Sequence, residues 1–162
     1  MAIAKVPSGA DGNPAIGLTW PSPARFVVGT NTEADCITDT LTGLMWSKNA
    51  SPQNSRPDWA GALSYTDTLS LCGHTDWRLP NINELQSLVN DGYTGADASA
   101  TTQVNWLQSQ GFTSVQVYYW SSSTYAGDTT GAWFVGMPDG SISFIDNSTT
   151  SILAVWPVRG GE

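Results

Sequence analysis

Histidine occurs once, at His74, and cysteine twice, at Cys36 and Cys72, in a chain of 162 residues. That scarcity removes whole classes of chemistry. A zinc site needs several Cys or His side chains converging on one ion, and two cysteines far apart in sequence with no second histidine do not supply them. A serine hydrolase needs a base histidine beside its nucleophile, but His74 lies between Gly73 and Thr75 ahead of a strand, and no Gly-x-Ser-x-Gly elbow occurs; His74 reads as a turn residue. Basic residues are also few: six Lys and Arg against 14 Asp and Glu give a net charge of −8. Phosphate recognition requires clustered cations, so nucleic acid is excluded as a partner, and an anionic membrane surface with it. No apolar run approaches the length of a membrane span, so membrane insertion is not expected. Met1-Ala2-Ile3-Ala4-Lys5 is too short for a signal peptide. The export route stays open between a removed leader and another exit, such as inside a phage particle.

What is present points to a β-rich, loop-rich domain with an aromatic core. Eight tryptophans are far above ordinary usage, while charged residues make up only 12% and small polar residues are abundant. The length suits one domain with its own core. For Cys36 and Cys72 a structural disulfide is the preferred reading, with a redox pair or a metal site as the alternatives. The chain-entropy model gives such a loop about 4 kcal/mol, and the bond implies an oxidising compartment.

Residues 1–23 carry Pro7, Gly9, Gly12, Pro14, Gly17, Pro21 and Pro23 and read as an extended arm or linker, leaving 24–162 as the domain. Short strands are expected over 24–28, 35–40 and 44–46. Ser55-Arg56-Pro57-Asp58 reads as a helix start with Ser55 as cap, followed by Trp59, Ala62, Leu63, Thr66 and Leu69 on one face and an end near Leu71. Asn81 with Glu84 forms a capping-box signature for a second helix, with Ile82, Leu85, Leu88 and Val89 on one face. A short helix is expected near 103–110, with Val104 and Leu107 inward and Gly111 as its stop. Strands follow over 115–123, 132–137, 141–146 and 154–159, with Pro138-Asp139-Gly140 as a hairpin turn. The fold class is therefore α+β: two main helices packed on a twisted, mostly antiparallel sheet, with a loop-rich C-terminal half.

The chain is organised around Cys72-Gly73-His74-Thr75-Asp76-Trp77-Arg78-Leu79-Pro80-Asn81-Ile82-Asn83-Glu84-Leu85. With Thr42-Gly43-Leu44-Met45-Trp46 before it, and Tyr119-Trp120-Ser121-Ser122-Ser123 and Val155-Trp156-Pro157-Val158-Arg159 after it, this run resembles the Legionella collagen-like protein C-terminal domain family over roughly residues 24 to 161. Arg78-Leu79-Pro80 followed by a helix carrying Glu84 is similar, more distantly, to the formylglycine-generating enzyme superfamily. Both resemblances imply a C-type-lectin-like fold, in which the first and last strands meet. Trimers among relatives imply a homo-oligomer, with a trimer favoured. Some relatives are implied to bind sulfated polysaccharides, for which this chain lacks a basic face. The oxidase chemistry of the second superfamily uses cysteines near the C-terminal end; none follows Cys72, so that activity is not carried over.

Residues 121–155 hold Ser, Thr, Gly, Asp, Asn, Ala, Tyr and Phe and no Lys, Arg, Glu, Gln or His. Adaptable recognition loops have this make-up, with Tyr giving rigid contact area and small polar residues giving hydrogen bonds. Relatives include diversified targets of retroelements that mutate adenines, and nearly every residue of 121–155 except Trp133 and Met137 is reachable from an Asn codon in that way. The candidate ligand-binding residues are Tyr119, Tyr125, Asp128, Thr129, Trp133, Asp146, Asn147 and Thr149. Tyr118 and Phe144 could add aromatic platforms, while Trp120 and Trp156 belong to the core. No catalytic residue and no metal ligand is assigned, and no cofactor is expected. A structural calcium is a lesser alternative at Asp91 and Asp97, or among Asp128, Asp139 and Asp146. A glycosidase pair built on Glu84 competes with its capping role. The function expected is a non-enzymatic extracellular, cell-surface or virion-associated adhesion module that binds a glycan or protein. The alternative is a structural subunit of a surface filament or phage appendage.

Overall fold

The computed structural model describes residues 24–54, 56–90, 102–127, 130–146 and 152–160. The first strands are β1 (Phe26–Val28), β2 (Cys36–Asp39) and β3 (Met45–Ser47). The helices α1 (Trp59–Asp67), α2 (Ile82–Ser87) and α3 (Thr102–Ser109) come next, and then β4 (Tyr118–Thr124), β5 (Gly131–Gly136), β6 (Ile142–Asp146) and β7 (Val158–Arg159). The molecule is α+β, with two antiparallel sheets in place of the one expected: β1-β2-β3-β7 and β4-β5-β6. The C-terminal strand pairs with β3, and β1 lies at the opposite edge, so the first and last described strands share a sheet without meeting. The N-terminal arm over 1–23 lies outside the described residues.

Three segments tie the sheets together. Trp77 to Pro80 makes only one bridge in place of the expected strand, but it reaches both sheets: Arg78 exchanges backbone hydrogen bonds with Val158, and Pro80 O accepts from the Ser122 N–H at 2.8 Å. The C-terminal segment does the same, Ala154 lying parallel to Tyr119 before Val158 joins β3. In β4 the register shifts between Trp120 and Thr124, and the bulge turns three serines to bonding duty. Ser121 Oγ donates to Trp133 O, Ser122 N–H reaches Pro80 O, and Ser123 Oγ accepts from the Ile82 N–H that opens α2.

Alternation along β4 and β5 sends side chains to opposite faces, and both faces near β4 are covered. Tyr119 and Val135 enter the main core with Phe26, Ile37, Trp46, Leu85, Leu88, Leu107, Phe112 and Trp156. Trp120, Ala132 and Phe134 face a second core against Ala62, Trp59 and Leu63 of α1. Trp156 centres the main core: its ring sits edge-on to Trp46 and Phe112 with centroids 5.7 and 5.0 Å away, and its indole N–H donates to Ser47 O at 3.0 Å. Rings in this arrangement contribute about 1 kcal/mol each beyond their buried area.

The helices follow local chemistry with two corrections. Asn81 and Glu84 form the reciprocal capping box: the Asn81 side chain accepts from Glu84 N–H at 2.9 Å, and Glu84 Oε2 accepts from Asn81 N–H at 2.7 Å. Leu85 and Leu88 are buried, with Ile82 and Val89 packed beside them. In α1 the cap is Asp58, whose carboxylate accepts from Gly61 N–H at 2.8 Å, where Ser55 was expected to cap; Ser55 lies outside the described residues. That helix stops at Asp67, short of the expected Leu71, because Leu71 and His74 exchange backbone bonds across a two-residue turn. Cys72 and Gly73 at its centre both have positive φ, as this turn type requires. Gly140 closes the β5–β6 hairpin at φ +70, with Val89 against it at a distance where a Cβ would meet the Val89 methyl at 2.9 Å.

Candidate functional site

The disulfide fixes the frame on which the site stands. Cys36 of β2 is bonded to Cys72 with Cα atoms 6.5 Å apart and 36 residues of separation. Arg78 forms a two-pronged pair with Glu84, NH1 to Oε2 at 2.8 Å and NH2 to Oε1 at 2.6 Å, and also donates to Gly160 O. Burial pushes the Glu84 carboxyl up, but the Arg78 hydrogen bonds, the Asn81 N–H and the Arg78 charge outweigh it, holding the group below the usual glutamate range. Glu84 is thus taken up by a cap and an ion pair at once, which is a structural duty. Arg78 lies in the extended segment before Pro80 and Glu84 in the helix after it, so patterning read within one element missed the pair. His74 sits in its turn, with Nε2 3.7 Å from a Glu33 carboxylate oxygen.

On the three-stranded sheet, Trp133 lies directly opposite Phe144 in the β5–β6 register. Tyr125, just past β4, stacks on Phe144 at 4.1 Å with the rings 10° from parallel, and Trp133 stands edge-on to both at 5.5 Å. The backbone at Gly127 lies close against Tyr125: a Cβ there would come within 2.8 Å of its ring. Tyr125 is therefore the pin that holds the following turn to the sheet. Phe144, 48% exposed, and the half-buried Trp133 carry the accessible apolar surface. Every residue of β6 is exposed, on both faces, including Ile142 and Ile145.

Of the residues expected to bind ligand, the structure brings Tyr125 and Trp133 together and puts the exposed Asp146 on the same strand as Phe144. Asp128, Thr129, Asn147 and Thr149 lie outside the described residues, as do Asp91 and Asp97. Tyr119 is a correction: it is 0% exposed, tilted against Trp156 in the main core, and its hydroxyl accepts from Gln116 N–H at 2.6 Å. Burial pushes its pKa far above the usual tyrosine value. Its neighbour Tyr118, on the opposite face, is the exposed one at 47%, with Phe134 edge-on at 5.6 Å. Trp120 and Trp156 are both fully buried, as expected of core residues. Tyr118 and Phe144, expected as additional aromatic platforms, are both exposed.

Among the described residues no group of three or more His, Cys, Asp and Glu could hold a metal ion, and no helix is long and apolar enough to cross a membrane. The disulfide fits a secreted or otherwise oxidising setting. No curated protein matches the chain. The family model described as the Lcl C-terminal domain matches residues 35–159, from just before the half-cystine of β2 to the last residue of β7, and the chain belongs to that family.

Proposed function

We propose that this domain is a non-enzymatic extracellular recognition or adhesion module of C-type-lectin-like fold, which engages a cell-surface glycan or protein through the β5–β6 face and its neighbouring loops. The observation that carries the reading is the Tyr125, Trp133 and Phe144 cluster, set on strands that contain no charge except Asp146. Aromatic rings with hydroxyl and amide neighbours bind either the apolar face of a sugar or an apolar protein side chain. The commitment of Glu84 to its cap and of His74 to its turn supports a non-catalytic role. The test is a glycan array together with binding to intact cells, comparing the natural chain with Trp133→Ala and Phe144→Ser. Either substitution is expected to weaken binding about ten-fold, the equivalent of about 1.4 kcal/mol. Unchanged binding by both variants would move the ligand elsewhere.

A structural role in a surface filament or phage appendage is the second reading, favoured by the outer edge of β6. Gly136 N–H donates to Ser141 O at 2.8 Å, so strand alternation turns the backbone groups of Ile142 and Phe144 outward, and no described strand pairs with them. Self-association, with the trimer that resemblance implies, is measured by light scattering over a concentration series. A monomer throughout would sink it.

A further inference from the structure

Among the described residues three arginines are paired with carboxylates, and two cations, Lys48 and Arg56, are not. Arg25 holds the buried Asp39 by two bonds of 3.0 and 2.8 Å, Arg78 holds Glu84, and Arg159 holds Asp76 by two bonds of 2.7 and 2.9 Å. Lys48 donates to Ala34 O. Arg56 has no carboxylate among the described residues; its one hydrogen bond is long, 3.4 Å to Gln116 Oε1. A guanidinium carries five N–H donors, so most of its capacity is open.

The surroundings of Arg56 are built rather than incidental. Pro57 O, the next residue, accepts from the buried Trp120 indole N–H at 3.1 Å, which fixes the chain beside Arg56 to the second core. Gln116 is held at both ends: its side-chain amide donates to Ser114 O at 2.9 Å, and its backbone N–H donates to the Tyr119 hydroxyl. Two depressions meet at Arg56. One, of about 180 Å³, is walled by Val117, Tyr118 and Leu153; the other, of about 220 Å³, by Ser51, Asn54, Ser114 and Gln116. Arg56 lines both, and each is smaller than the drug-sized pockets that begin at about 300 Å³. This groove lies on the Tyr118 face of the sheet, opposite Trp133 and Phe144 and at the far end of β4 from Tyr125.

We propose that the groove around Arg56 is a second, separate binding site, for a sugar that bears one carboxylate and an N-acyl group. The guanidinium takes the carboxylate by paired N–H donors. The apolar depression takes the acyl methyl against Tyr118 and Val117, while Ser51, Asn54, Ser114 and Gln116 meet the ring and side-arm hydroxyls. A single cation selects a single anion: a polyanionic chain needs several cations in a row, and among the described residues that line the two depressions Arg56 is the one cation. The polar wall is made of side-chain hydroxyls and amides, the complement of a polyhydroxyl ligand. A peptide terminus is more commonly captured by a nest of backbone N–H groups.

The probe is N-acetylneuraminic acid as its methyl glycoside, titrated into the full chain and followed by amide chemical shifts. Saturable shifts are expected at Gln116, Val117, Tyr118 and Leu153. Arg56→Gln should weaken binding roughly ten-fold or more, by loss of charged hydrogen bonds, and Trp133→Ala should leave it unchanged. Because Arg56 is exposed and loosely held, Arg56→Gln keeps the fold; Tyr118→Ala tests the apolar wall independently. Neutral N-acetylglucosamine binding as well as the probe overturns the role of the carboxylate. N-acetyl-leucine binding more tightly overturns the sugar in favour of a peptide terminus, and sulfate ion shifting the same residues equally reduces the site to an ion pair. No saturable shift in the groove removes the proposal, whatever happens at Phe144.

Discussion

The two sheets handle their surfaces in opposite ways. Around β1-β2-β3-β7, charge is paired and the chain is covalently closed: Arg25 with Asp39, Arg78 with Glu84, Arg159 with Asp76, and Cys36 with Cys72. Across β4-β5-β6 the strands carry one charged residue, Asp146, and the outermost strand exposes apolar side chains on both faces. The first arrangement fixes geometry at the cost of variety. The second holds its shape from beneath, through buried Tyr119, Trp120 and Val135, and leaves the outer residues free to change.

The sharpest way to break the contrast is to remove what both sheets share. Trp156 touches Trp46, Phe112 and Tyr119, so Trp156→Ala is expected to cost about 4 to 5 kcal/mol and to lower the urea midpoint with little change in slope. A loss below about 1 kcal/mol would mean that the two halves are not supported by a common core. Next comes the covalent tie. Replacing Cys36 and Cys72 together by Ala should cost about 4 kcal/mol in the chain-entropy model, while leaving ligand binding on the β5–β6 face intact in the fraction that stays folded. The measurement is a denaturation curve run beside a binding curve.

The Arg78 and Glu84 pair tests the charged half directly. Arg78→Met keeps the packing of the stem and strands a half-buried carboxylate, for an expected cost of about 2 kcal/mol at neutral pH, discounted because Arg78 is partly exposed. The sign with pH follows from the lowered Glu84 pKa. A depressed carboxylate stabilises the fold above its unfolded value, about 4.3, and that stability is lost as pH falls through the folded value. The gap between natural chain and variant should therefore be full at neutral pH and close in acid. A gap that stayed constant would place the effect in packing.

How much of this was legible beforehand depended on whether the deciding interaction was local. The capping box of Asn81 and Glu84, the Pro138 to Gly140 turn and the burial of Trp120 and Trp156 all followed from neighbours in sequence. The start of α1 did not, because Ser55 and Asp58 are both cap residues flanking a proline; in the structure Asp58 caps, and the Trp120 indole holds Pro57 O beside it. Tyr118 and Tyr119 were harder still. Adjacent strand residues face opposite ways, both faces of β4 are covered, and a shift of one residue exchanges the buried ring for the exposed one. The pairing of Arg78 with Glu84, and the lack of a carboxylate for Arg56 among the described residues, are properties of the assembled surface and leave no periodic trace.

The smallest expected effect is the most informative, because it separates display from support. Phe144 is half exposed on an edge strand, stacks on Tyr125 and meets the edge of Trp133, and is a member of neither core cluster. Phe144→Ser therefore removes one aromatic stack, worth about 0.5 to 1.5 kcal/mol, offset by the apolar area no longer exposed to water in the folded state. The net stability change should stay below about 1 kcal/mol, and a double cycle with Tyr125→Ala should place most of it in the Tyr125 contact. Binding, by contrast, should fall about ten-fold, so stability and affinity part company at this one position. If Phe144→Ser were as destabilising as Trp156→Ala, β6 would be part of the frame and the contrast between the sheets would fail at its outermost strand.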